Sequence, residues 1–188
     1  MIDVVTGERP DSMRLWSIRR RRADWEAGAD LQRSRLVRIR IPVGSADPSL
    51  GVSVEELCPP ERYGALLWDT AVNPRRVGLP YRYVFGSCIL GPRPCNSLNA
   101  VCRVDVTTGE VLTWHDSPNA VMSGPPRFVP RPGADANDET DGVLLVDCLG
   151  ADGRAFVAVL DGRSFTEVSR VTLPYRHCAS LNTTWVWG

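Results

Sequence analysis

Three apolar runs separated by tight-turn sequences constrain this chain more than any other feature. They cover residues 142–148, 155–160 and 165–171, with Ala151-Asp152-Gly153-Arg154 and Asp161-Gly162-Arg163-Ser164 between them. Asp-Gly between strand-like apolar runs is a strong short-range signal for a β-hairpin, because the turn takes residues at positive φ. Upstream, Arg127-Phe128-Val129 reads as one more strand, entering the turn Pro130-Arg131-Pro132-Gly133. An acidic loop over residues 135–141 follows, with four acidic side chains. Residues 125–171 therefore predict a β-meander, in which antiparallel neighbours are joined by short turns.

The rest of the chain repeats the pattern more loosely. Residues 36–41 alternate apolar side chains with Arg, as a half-exposed strand does. Residues 81–90, aromatic and β-branched, form the clearest single strand and stop at Gly91-Pro92. Residues 100–106 and 110–114 read as a hairpin around Thr107-Thr108-Gly109, and residues 181–187 as a short aromatic strand. Residues 62–72 hold the apolar run Ala65-Leu66-Leu67-Trp68, while 42–60 and 116–126 read as loops. Residues 1–35 predict an irregular or partly helical arm. Eight or nine short strands and almost no helix place the chain in the all-β class, as a sandwich, barrel or propeller.

Composition narrows the function classes. The 22 acidic and 22 basic residues cancel, so no global field draws nucleic acid or an acidic membrane. Every basic residue is Arg. The cluster Ser17-Ile18-Arg19-Arg20-Arg21-Arg22 is diluted by Asp24, Glu26 and Asp30 and reads as a solvated stretch. No apolar run is long enough to span a bilayer, and no secretory leader pattern opens the chain. The six cysteines make no CxxC pair and no zinc spacing, so they are expected to be reduced, structural thiols of a reducing compartment.

The meander also carries a resemblance. Phe-Val-Pro-Arg-Pro-Gly-Ala at 128–134, the acidic loop, Asp-Gly-Val-Leu-Leu at 141–145, Val-Leu-Asp at 159–161 and Ser-Phe-Thr-Glu-Val-Ser-Arg-Val-Thr-Leu-Pro at 164–174 come in one order. Together they resemble the C-terminal part of the carotenoid cleavage oxygenases, the family that includes the retinoid isomerohydrolase of the eye. The likeness runs from about Leu79 to the end, and more weakly back to about Leu36. It implies a seven-bladed β-propeller with a metal on its axis. A blade takes four strands, so residues 36–188 are expected to supply the C-terminal two to two-and-a-half blades. A C-terminal fragment, a truncated gene product or part of a larger assembly is the expectation. The compartment expected is the cytoplasm or an organelle such as the plastid, with peripheral membrane contact allowed and no nucleic-acid partner.

The resemblance implies a chemistry as well. The family holds Fe(2+) through four histidines, three of them oriented by acidic side chains behind the imidazoles. With dioxygen it splits a double bond of a carotenoid or apocarotenoid substrate. The last of the four histidines falls at Asn182, a weak ligand for ferrous iron. Two of the acids fall at Trp68 and Pro125, neither of which offers a carboxylate. Asp69 neighbours Trp68 but points to the opposite face of a strand. His177 would substitute for the missing ligand only after a shift of strand register. The expectation is that this chain has no catalytic, cofactor-binding or metal residue of its own and does not bind iron alone. It reads either as the C-terminal portion of a dioxygenase, inactive alone, or as a non-catalytic pseudoenzyme or carotenoid- or lipid-binding remnant.

Other candidates are weaker. His115-Asp116 has the composition of an acid–base pair but sits at a hairpin end, where a solvated histidine is expected. No Gly-x-Ser-x-Gly nucleophile turn is present. The acidic loop lacks calcium-loop spacing and reads as solvated. Tyr81, Tyr83, Phe85, Trp185 and Trp187 fit a polyene tunnel less well than they fit a core.

Overall fold

The computed structural model describes residues 2–8, 35–44, 51–59, 62, 68–90, 98–117, 121–122 and 124–174. Among these there is no α-helix, and three antiparallel sheets carry the fold. Strands β1 (Ile2–Glu8), β2 (Arg35–Ile41) and β3 (Ser53–Cys58) form the first, in that order. Strands β4 (Trp68–Ala71), β5 (Tyr83–Cys88), β6 (Ala100–Asp105) and β7 (Val111–Trp114) form the second. The third contains β8 (Val121–Met122), β9 (Arg127–Pro130), β10 (Gly142–Leu149), β11 (Ala155–Asp161) and β12 (Glu167–Thr172). Its order is β12-β11-β10-β8, with β9 also paired to β10.

The meander therefore forms as its turns dictate. Two strands appear where the sequence reads otherwise. Residues 2–8, expected in an irregular arm, pair along all of β2, and residues 53–58, expected in a loop, pair on its other side. The reason for β3 is tertiary. Its Ser-Val-Glu-Glu stretch has little strand propensity, but β2 sets Arg38 and Arg40 opposite it. Arg38 and Arg40 reach Glu55 at 3.7 and 3.2 Å, and Arg35 reaches Glu56 at 3.8 Å. Each such exposed pair contributes only about 0.2–1 kcal/mol, so the charges fix register more than stability. The loop expected over 116–126 likewise contains the two-residue β8.

Two cores lie between the sheets. Leu36, Cys58, Val84, Cys88, Cys102 and Val104 fill the first, between the first and second sheets. Phe85, Val101, Phe128, Leu144, Val146 and Leu160 fill the second, between the second and third. Phe85 and Phe128 stack across that gap, with ring centroids 5.1 Å apart. Phe85 is thus a core residue, and Tyr83 packs against the same cluster, while Trp185 and Trp187 lie outside the described residues. Cys58, Cys88, Cys102 and Cys148 are buried thiols. Sheets packed face to face in series are what two blades and part of a third look like.

The turns separate two uses of glycine. Gly109 and Gly153 take positive φ, 71° and 75°, as their hairpins require. Gly162 does not; there the left-handed residue is Phe165, at φ 58°. Gly162 is glycine because a Cβ would run into the Thr140 carbonyl oxygen and stand 3.0 Å from that of Gly142.

Candidate functional site

β4 and β9 lie on neighbouring sheets, and a cleft of about 720 Å³ opens between them. Thr70, Ala71 and Val72 line one side, continued by Pro74, Arg75 and Val77. Residues 127–130 of β9 line the other. The lining residues are apolar except for Thr70, Arg75 and Arg127.

The wall after β4 is held by a small polar network. Asn73 caps a 3₁₀ turn, Pro74–Arg76, accepting the Arg75 amide at 3.0 Å, with Pro74 at its first position. The Asn73 side-chain amide donates in turn to the Glu139 carbonyl at 3.0 Å. The Glu139 carboxylate is buried, and it accepts the Arg82 amide at 3.0 and 2.9 Å and the Tyr83 amide at 3.2 Å. The Arg76 Nε lies 3.8 Å away. Arg75 donates to the Ala134 and Arg131 carbonyls at 3.1 and 3.3 Å. The loop after β9 is thereby fastened to the turn after β4.

This corrects the reading of residues 135–141 as merely solvated. Glu139 is buried, and the neighbouring acids are matched by named donors. Asp138 accepts the Thr140 amide at 2.9 Å and hydroxyl at 2.8 Å and meets Arg163 at 2.6 Å. The Thr140 hydroxyl and Arg163 hold its carboxyl below the usual range against the opposing effect of burial. Asp141 accepts from Arg131 at 2.8 Å. Density of charge hid the one acid that faces inward. The usable signal was Asn73-Pro74, a helical-turn cap beside the cleft.

Of the positions singled out by resemblance, Trp68 and Pro125 border the strands of this cleft. Trp68 opens β4, in register with Ser87, and Asp69 follows it in the same strand. Pro125 is buried just before β9. These two positions thus sit at the upstream ends of the strands that wall the cleft, and neither belongs to its described lining. Asn182 and His177 lie outside the described residues. His115 is exposed after β7, and Asp116 accepts from Arg170 at 2.8 Å, so the pair does not act as a unit.

Among the described residues no group of three His, Cys, Asp or Glu side chains stands where a metal ion could be held. The thiols offer no substitute. The Cys88 thiol and burial together push Cys102 well up, and burial pushes Cys148 to about 12, so both stay protonated near neutrality. The described residues by themselves do not fit an iron centre.

Comparison with known proteins agrees with the architecture. The family model of RPE65, retinal pigment epithelial membrane protein, matches residues 2–187. Carotenoid cleavage dioxygenase 8 of Arabidopsis thaliana is 36% identical over 154 residues, 81% of this chain and 25% of that protein. Apocarotenoid-15,15'-oxygenase of Synechocystis is 36% identical over 107 residues, 56% of this chain and 21% of the relative. A solved structure of the Synechocystis apocarotenoid oxygenase superposes with a TM-score of 0.71 at 26% identity, covering 85% of this chain and 31% of that one. This chain therefore spans about a fifth to a third of the length of the relatives it matches. The sheets described above are two to two-and-a-half blades of a seven-bladed propeller.

Proposed function

We propose, from the premise that this chain belongs to the RPE65 and carotenoid oxygenase family, that it is the C-terminal blade segment of a carotenoid oxygenase-like protein and catalyses nothing by itself. Its family cleaves polyene double bonds oxidatively, and iron supplies the site at which dioxygen reacts. The observation that carries the proposal is Pro125. It is buried at the entry to β9, where the resemblance calls for a carboxylate to orient a histidine. Trp68, at the start of β4, replaces a second such acid, and Asn182 replaces a ligand. What this chain's residues supply instead is scaffold: two packed cores and a clamped cleft.

The test is direct. The purified chain is incubated anaerobically with ferrous salt, desalted and assayed for iron, then given an apocarotenoid and air. The expected result is no retained iron and no aldehyde product. One tightly held iron per chain would overturn the proposal.

A second reading, a carotenoid- or lipid-binding remnant, is favoured by the cleft, whose walls are mostly apolar. Its substrate class would be that of the family, carotenoid or apocarotenoid. The Arabidopsis and rice relatives are described as chloroplastic, which supports a plastid as the compartment. Among the described residues no helix is long and apolar enough to cross a membrane.

A further inference from the structure

We infer that the cleft between β4 and β9 takes an elongated apolar molecule ending in a carboxylate, with Arg75 as the anion contact. The inference rests on the second reading above for the apolar body of the ligand and adds the head group. The volume, about 720 Å³, is that of a small-molecule site. Val72, Val77, Phe128 and Val129 give it apolar walls. Such an apolar lining with Arg75 and Arg127 among its residues suits an amphiphile better than a pure hydrocarbon.

Four neighbouring arginines already face a carboxylate. Arg131 meets Asp141, Arg163 meets Asp138, Arg82 meets Asp105 and Arg76 approaches Glu139. Arg75 differs. Its hydrogen bonds run to two backbone carbonyls, which orient the guanidinium without neutralising it. Asp135, in the same loop, accepts the Asn137 amide at 2.8 Å. The Arg75 guanidinium is thus pinned at the cleft wall with donors to spare, and its planar fork matches a carboxylate. Because Arg75 is exposed, the head group sits at the mouth and the apolar body lies inward.

The experiment uses the full chain with cis-parinaric acid, a fluorescent polyene carboxylic acid, and its methyl ester. The acid is expected to bind at least about tenfold more tightly than the ester, with the margin shrinking as salt is raised. Arg75→Gln should remove that margin. Val77→Glu, which puts a carboxylate at the mouth without touching Arg75, should remove it as well. Equal binding of acid and ester to the unmodified chain overturns the carboxylate contact and leaves the apolar reading standing. So does a margin that survives both variants. If neither probe binds, both readings fall.

Discussion

Removing the Glu139 carboxylate should loosen the joint between the second and third sheets. The side chain is 9% exposed and accepts two backbone amides, those of Arg82 and Tyr83. Glu139→Ala leaves both without an acceptor, and an orphaned buried donor costs about 1–3 kcal/mol. Water reaches this site in part, so the lower half of that range applies to each donor. The variant should lose about 2–4 kcal/mol in all, on the same scale of cost per donor. For a chain of this size that lowers Tm by about 5–15 °C. Glu139→Gln, which keeps one acceptor, should lose about half as much as the alanine variant. Urea unfolding gives the energies, and amide exchange gives the location, with protection lost first at Arg82 and Tyr83. A Glu139→Ala variant within about 0.5 kcal/mol of the parent would show that Glu139 does not hold this joint. So would a loss of protection spread evenly over the third sheet.

Acid stability follows from three carboxylates held below their usual range. Burial pushes Asp105 up, but Arg82 and the Thr107 and Thr108 amides outweigh it; the Thr140 hydroxyl lowers Asp138 and the Ser164 amide lowers Asp161. A lowered folded pKa adds stability that is full above the unfolded value of about 4 and is lost as pH falls through the folded one. The urea midpoint should therefore hold from neutrality to about pH 5 and drop below about pH 4, and Asp105→Asn should flatten that drop; an unchanged slope in the variant would exclude Asp105 as a cause. Gly162→Ala, which meets backbone on two sides, should cost about 1–3 kcal/mol or more and exceed Gly153→Ala, whose Cβ has nothing within 4 Å but whose φ is 75°; the reverse order in chemical unfolding would show that crowding at 162 costs less than the left-handed backbone at 153.

The legible parts of this fold are those set by local chemistry. The Asp-Gly and Thr-Thr-Gly turns and the alternation of β10 sufficed to place the meander and the β6–β7 hairpin. β3 was not legible, because Glu55 and Glu56 join a strand only after β2 offers them arginines. β1 was missed likewise, since residues 2–8 pair with a strand about thirty residues away. At the site, Trp68 and Pro125 could be named from the resemblance, and their strands prove to be neighbours across one cleft. Glu139 could not, because nothing local distinguishes it from the acids beside it; only the backbone of β5, fifty-six or fifty-seven residues earlier, selects it.

The second sheet is covered on both faces, and this has a consequence for how the chain tolerates change. Five consecutive residues of β5, from Val84 to Cys88, are buried, so no position among them is free to drift. In β10 burial alternates, and every second position is partly open to solvent. Neutral variation can accumulate along β10 in a period of two, while β5 accepts only volume-preserving exchanges. The middle blade is therefore the part of the chain in which ancestry should persist longest, whatever becomes of the chemistry.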